Sequence, residues 1–189
     1  EKASSRFITV KTDVLDILID LNGGYVVGSE LLEYPVSIDE PDRPFELLNN
    51  IPATRYIAQS GFSTSDKAAS AINRPTYQTT SEQFLLEEGQ NELVIPLVWK
   101  DSSGLSLTKV YKFTRGDYLI QVNQKVQNRL SVSWSGQFFG QLLRVPPKDE
   151  SSFLGVRSFT GAVFSTPEDR YQKVDFEDIQ DNSFGRQSS

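Results

Sequence analysis

The stretch from Glu88 to Asn128, EGQNELVIPLVWKDSSGLSLTKVYKFTRGDYLIQVNQKVQN, limits the possible folds most, because it holds three alternating runs joined by two short turns. Strand side chains alternate with period two, so Leu93, Ile95, Leu97 and Trp99 share one face of the first run. Asp101-Ser102-Ser103-Gly104 reverses the chain, and the second run sets Leu105, Leu107, Tyr111 and Phe113 against Ser106, Thr108, Lys112 and Thr114. Arg115-Gly116-Asp117 makes a three-residue loop whose glycine is available for positive φ. The third run sets Tyr118, Ile120, Val122 and Val126 against Leu119, Gln121, Asn123, Lys125 and Gln127. A helix needs apolar positions at i, i+3, i+4 and i+7, which the second and third runs lack. The pattern therefore predicts an antiparallel meander. Val94 and Val98 make the second face of the first run apolar too, which predicts a strand covered on both sides. Pro96 cannot donate to a ladder, so it marks a bulge or an unpaired side.

The flanking chain extends this all-β reading. Phe7 to Leu21 alternates with a shift of phase near Asp13, Asn22-Gly23-Gly24 is a turn, and Tyr25 to Leu32 returns as a strand. Pro35, Pro41 and Pro44 predict an irregular surface connector over Glu33 to Asn50. A short strand over Tyr56 to Gln59, a polar loop over Ser60 to Arg74 and a strand over Thr76 to Glu87 come next. Val132 to Val145 predicts two strands around Gly136 and Gly140, with Trp134, Phe138, Phe139, Leu142 and Leu143 in the core. Phe153 to Phe164 is strand-like, and Val174 to Ile179 alternates once more. Between them Thr166 can cap a helix, Pro167 suits its first position, and Glu168 and Asp169 favour the positive end of its dipole. The whole predicts one antiparallel β-sandwich domain over residues 1–189 with short helices at most, frayed over 1–5 and 180–189.

Composition narrows function mainly by exclusion. Nineteen basic against 25 acidic residues give a net charge of −6, which disfavours nucleic acid and anionic lipid as partners. Without cysteine there is no disulfide, thiol nucleophile or structural zinc site, and without histidine the usual general base and commonest transition-metal ligand are missing. No nucleophile elbow, phosphate loop or dinucleotide fingerprint occurs, so the expectation is no cofactor, no metal and no catalysis. The longest uninterrupted apolar run, Leu93 to Trp99, is too short to cross a bilayer, and no signal peptide is visible, which predicts a soluble chain. Asp175, Glu177, Asp178 and Asp181 read as a solvated face rather than a calcium loop. A carboxylate pair acting alone stays open, although nothing marks one pair above another. Trp99, Trp134, Tyr111 and Tyr118 are readable as a sugar-stacking platform, but their inward parity in strong strands favours core. Lys109, Lys112 and Arg115 lie on one hairpin and read as ordinary surface.

A series of short stretches carries a resemblance that these arguments do not. VKTDVLDI (10–17), NGG (22–24), PFELL (44–48), AQSG (58–61), EGQNEL (88–93), TKVYKFTRGDY (108–118), VQN (126–128), FGQL (139–142) and STPEDRYQK (165–173) run in order over nearly the whole chain. Together they resemble the large periplasmic domain of the YidC membrane protein insertases of Gram-negative bacteria. Agreement is poorer over Glu33 to Asp42, Phe62 to Arg74 and Asp149 to Phe153. The resemblance implies a β-supersandwich similar to galactose mutarotase, in the periplasm, between the first two transmembrane helices of an inner-membrane protein. It implies that insertion of nascent membrane proteins belongs to a membrane core outside this chain. It also implies a contact with the Sec translocon, notably SecF, through the later part of the domain. The family's domain continues through further strands and a membrane-proximal helix, so the resemblance implies a sandwich lacking its last strands here. Mutarotase-like enzymes lean on catalytic histidines, which this chain lacks, so the fold likeness carries no reaction across.

Two readings of different class compete. One is a non-enzymatic module acting by protein contact, and the other is a carbohydrate-binding or carbohydrate-processing domain. For the first, Val156 to Asp175 is the candidate contact segment. Phe159 and Phe164 have opposite parity, so covering one face leaves one of them outward. Gly161 permits close approach of another backbone, and a helix start at Thr166 presents free amide groups. Arg157, Arg170 and Lys173 are its candidate rim charges.

Overall fold

The computed structural model describes residues 6–64, 73–102, 104–147 and 159–181. Two compact units divide the chain, Glu1–Val145 and Pro146–Ser189.

In the first unit the phase shift near Asp13 is a hairpin corner. Thr12 Oγ1 accepts from the amides of Val14 at 3.2 Å and Leu15 at 2.9 Å, which turns β1 (Phe7–Lys11) back into β2 (Leu15–Asp20). Ile8 then stands opposite Ile19 and Val10 opposite Ile17, all four fully buried. The Asn22-Gly23-Gly24 turn runs through φ of +95° and +60° at its two glycines, a region closed to most side chains. It leads into β3 (Tyr25–Ser37). Asp20 braces this turn by accepting from the Asn22 amide at 2.9 Å and from Arg6.

The proline-bearing connector is not irregular. β3 runs on to Ser37 and β4 (Glu40–Leu48) returns antiparallel to it. The register slips three times along this pair, and Pro35 stands opposite Pro44, so neither missing N–H breaks a regular ladder. β5 (Tyr56–Ser63) is longer than the predicted strand and pairs with the start of β3. Of the strand expected over Thr76 to Glu87, β6 (Gln83–Leu85) forms, parallel to β1, with isolated bridges at Thr76 and Gln78.

The meander forms as its alternation predicts: β7 (Glu92–Lys100), β8 (Leu105–Thr114) and β9 (Gln121–Asn128). β9 starts three residues late, because Asp117 Oδ1 accepts from the Leu119 amide at 3.0 Å and prolongs the loop. Pro96 lies in continuous register with Val110 and so makes no bulge. Its carbonyl instead accepts from Thr79 Oγ1 at 3.0 Å on the outer edge of β7, where Val98 also bridges Gln78. The small sheet packs its inner face on β1, β2 and β3. Ile95, Leu97, Leu105, Leu107, Tyr111 and Phe113 meet Ile8, Val10, Ile17, Ile19 and Val26 there. The architecture is an all-β sandwich, mostly antiparallel. The second apolar face of β7 is not covered as predicted: Val94 is exposed and Val98 half-buried.

One strand, β10 (Gln137–Arg144), replaces the two expected around Gly136 and Gly140, and it closes the large sheet beyond β5 in the order β10-β5-β3-β2-β1-β6. Its apolar residues are not core. Phe138 and Leu142 pair with Phe62 and Ala58, which pack on the core, yet are themselves 62% and 64% exposed. The small sheet ends at β9, so among the described residues no strand covers them. Leu143 is exposed, and Phe139, Trp99 and Trp134 are half-buried.

The second unit is a hairpin of β11 (Gly161–Phe164) and β12 (Gln172–Asp175), followed by α1 (Phe176–Gln180). Residues 153–158 of the expected strand lie outside the described residues. No helix starts at Thr166. Its Oγ1 accepts from the Asp169 amide at 3.0 Å, and its own amide donates to the Asp169 carbonyl at 2.8 Å. The capping chemistry is right, but it closes a tight turn. The helix begins instead where alternation predicts strand, because Asp175 Oδ1 caps it through the Asp178 amide at 2.8 Å.

Candidate functional site

The β11–β12 hairpin separates the predicted contact residues by parity. Cross-strand partners share a face, so Ala162, Phe164, Gln172 and Val174 point one way, while Gly161, Val163, Lys173 and Asp175 point the other. Val174 is buried and Phe164 half-buried on the first face. On the second, Val163 is 44% exposed opposite an exposed Lys173. Phe159, just before β11, is 40% exposed, and the Lys173 ammonium stands 5.1 Å from its ring centre. The Tyr171 ring, 67% exposed, has its centre 5.5 Å from the same ammonium. An ammonium over an aromatic face is attracted by the ring quadrupole, by about 0.5–1 kcal/mol where exposed. Tyr171 also has a φ of 58°, the sole positive value among described non-glycine residues, held while its amide donates to Ser165 Oγ at 3.1 Å.

The structure thus brings Phe159 and Lys173 together and adds Tyr171, which sequence patterning does not single out. Phe164 is on the other face, Thr166 is half-buried in its turn, and Arg170 is exposed. Arg157 lies outside the described residues. The close approach that Gly161 permits is made inside the hairpin. A Cβ there would collide with the Val174 carbonyl, the Phe159 ring and Asp175 Cα. Gly161→Ala is therefore expected to cost about 2 kcal/mol or more through overpacking. Amide exchange should quicken in β11 and β12 while β7–β9 stay protected, and unchanged protection in the hairpin would refute this.

A second cluster lies in the sandwich core, at a residue whose type predicts surface. Lys109 is fully buried at inward parity in β8, between Leu107 and Tyr111. Its ammonium donates to the carbonyls of Gly23 at 3.0 Å, Gly24 at 3.0 Å and Ser60 at 2.6 Å. The Tyr25 and Tyr77 rings lie 5.6 and 5.5 Å away, and the Tyr111 hydroxyl also donates to Gly24 at 2.6 Å. Burial pushes the lysine down to about 7, while three acceptors and two ring faces favour its charged form. Burial likewise raises the Tyr77 and Tyr111 hydroxyls above their usual range. With no exposed atom and three backbone partners, Lys109 ties the Gly23-Gly24 turn and β5 to β8. Tyr111 is buried in this cluster and offers no sugar a stacking face.

The fold defines an all-β protein, and its hairpin presents an aromatic and aliphatic face around one lysine. The YidC periplasmic domain family matches residues 7–189, and the chain belongs to that family. It is 43% identical over 183 residues to the membrane protein insertase YidC of Legionella pneumophila strain Corby, covering 95% of this chain and 33% of that protein. To the insertases YidC of Coxiella burnetii strain RSA 493 and Marinobacter nauticus it is 36% and 39% identical, over 97% and 94% of this chain. The chain spans about a third of the length of these curated relatives. Family membership places it in the periplasm, and no described helix is long and apolar enough to cross a membrane.

Proposed function

We propose that this chain is the non-enzymatic periplasmic contact module of an inner-membrane insertase, and that its β11–β12 hairpin docks on the Sec translocon, with SecF as the partner. Insertion of nascent membrane proteins belongs to the full-length protein, and this module holds that machinery beside the translocon. The observation that carries the reading is the exposed hairpin face, where Phe159, Val163 and Tyr171 neighbour Lys173. It lies in the stretch that the family resemblance assigns to the translocon contact. Aromatic residues at a contact centre contribute about 2 kcal/mol or more, whereas rim charges contribute far less. Tyr171→Ala in the full-length insertase is therefore expected to cut SecF co-purification by about tenfold or more. Ile38→Ala, at a 97% exposed position on the β3–β4 turn, should leave it unchanged. Equal SecF recovery from both variants would place the contact elsewhere.

A further inference from the structure

Lys173 is the one basic residue on the outward face of the hairpin, with its ammonium 5.1 and 5.5 Å from the centres of two aromatic rings and its strand position opposite Val163. Among the described residues it has no ion pair within the chain. The nearest acid along its own face is Asp175, whose carboxylate is engaged in capping α1. The side chains nearest to its ammonium are the Phe159 and Tyr171 rings, and Val163 stands opposite it across the hairpin. Tyr171 is held next to it by a backbone conformation that costs about 1–3 kcal/mol in a residue with a side chain. Strain of that kind persists where the surrounding structure fixes the side chain in place.

We infer that this face takes a protein segment carrying one carboxylate among apolar residues, the carboxylate meeting Lys173 and its neighbours packing on Phe159, Val163 and Tyr171. Charge complementarity sets the choice. A carboxylate close to the ammonium gains from a charge-assisted hydrogen bond, and the apolar rim removes water from it. An anionic bilayer also offers negative groups over an apolar layer, but it attracts through the summed charge of a surface. Residues 159–181 carry Glu168, Asp169, Asp175, Glu177, Asp178 and Asp181 against Arg170 and Lys173, a balance that repels such a surface. A single local contact is far less sensitive to that balance.

This inference rests on the docking role proposed above for the same hairpin, and one experiment separates the two. The full-length insertase in its native membrane carries photoreactive benzoylphenylalanine at Val163, and crosslinked peptides are sequenced by mass spectrometry. The expected adduct lies on a protein segment with an acidic residue flanked by apolar ones. Lys173→Glu should lower its yield about tenfold, and reversing the partner's acid to lysine should restore it, with the melting temperature unchanged. An adduct on SecF that ignores Lys173→Glu overturns the carboxylate chemistry and leaves the docking partner standing. An adduct on an acidic, apolar segment of another protein supports the chemistry and overturns SecF. Adducts confined to lipid overturn both.

Discussion

Lys109→Ala is expected to melt about 10 °C below the parent chain. The change removes the donors to Gly23, Gly24 and Ser60 and the stem packed between Leu107 and Tyr111. Gly24 keeps the Tyr111 hydroxyl, whereas Gly23 and Ser60 each lose a buried partner. Each orphaned carbonyl costs about 1–3 kcal/mol, and the vacated stem adds a cavity term of similar size. Relief from desolvating an ammonium offsets part of this, leaving about 4 kcal/mol and, at roughly 2–4 °C per kcal/mol for a chain of this length, the stated shift. Lys109→Met keeps the stem and loses only the donors, so it should fall about halfway between, near 2 kcal/mol. Differential scanning calorimetry of the three chains decides it. An alanine variant within a degree or two of the parent would mean that the turn and β5 are held without the lysine.

That lysine shows where sequence reasoning reached and where it stopped. Its parity was legible, since Leu105, Leu107, Lys109, Tyr111 and Phe113 form one unbroken odd-numbered series and all five are buried. Lysine is so rarely buried that residue type outweighed position. Its partners were not legible, because the three carbonyls lie 49 to 86 residues away and belong to backbone, which carries no residue-specific signal. Gln124 repeats the lesson in β9. Register sets it opposite Lys109, and its amide donates to Ser60 Oγ at 3.2 Å on the inner face.

The meander and the Gly23-Gly24 turn were readable because alternation and turn chemistry are local. Three other features were not. Pro35, Pro41 and Pro44 argue against a ladder residue by residue, but a bulged edge pair places proline opposite proline and keeps the hairpin. The hydrophobic pattern of β10 predicts burial, whereas exposure depends on whether the opposing sheet extends past β9. Thr166 and Asp175 are both competent caps, and the residues after each decide which one starts a helix. Tyr171 at positive φ and the extended β12 come after the first, and a helical run from Phe176 comes after the second. At the hairpin, parity foretold that Phe159 and Phe164 would part, and the structure shows Phe159 as the outward one. Tyr171 gave no signal, because its placement depends on one backbone angle.

Thermal stability should trace a dome against pH, with its maximum near pH 9 to 10. Burial depresses Lys109 from 10.5 to about 7 in the folded chain. Between those values the unfolded chain holds the proton that the folded chain has released, so it binds more protons, and stability rises with pH across that window. Below pH 7 both states are protonated, and the full cost of burying the charge is present. The whole limb is worth about 5 kcal/mol at most, reduced by what the three carbonyls and two rings return to the ammonium. The tyrosines facing Lys109 set the descending limb. Tyr25 from β3, Tyr77, and Tyr111 from β8 are all raised by burial, with Arg74 over the Tyr25 ring lowering that residue slightly. Above pH 10 the unfolded chain ionises these hydroxyls while the folded chain holds their protons. The folded state then binds more protons, and stability falls as pH rises. Urea midpoints at intervals from pH 6 to 11 measure both limbs. Lys109→Met should flatten the rise from pH 7 to 9.5 and leave the fall above pH 10 in place. A parent chain flat from pH 7 to 9.5 would show that the carbonyl cradle balances the desolvation and holds the lysine charged throughout.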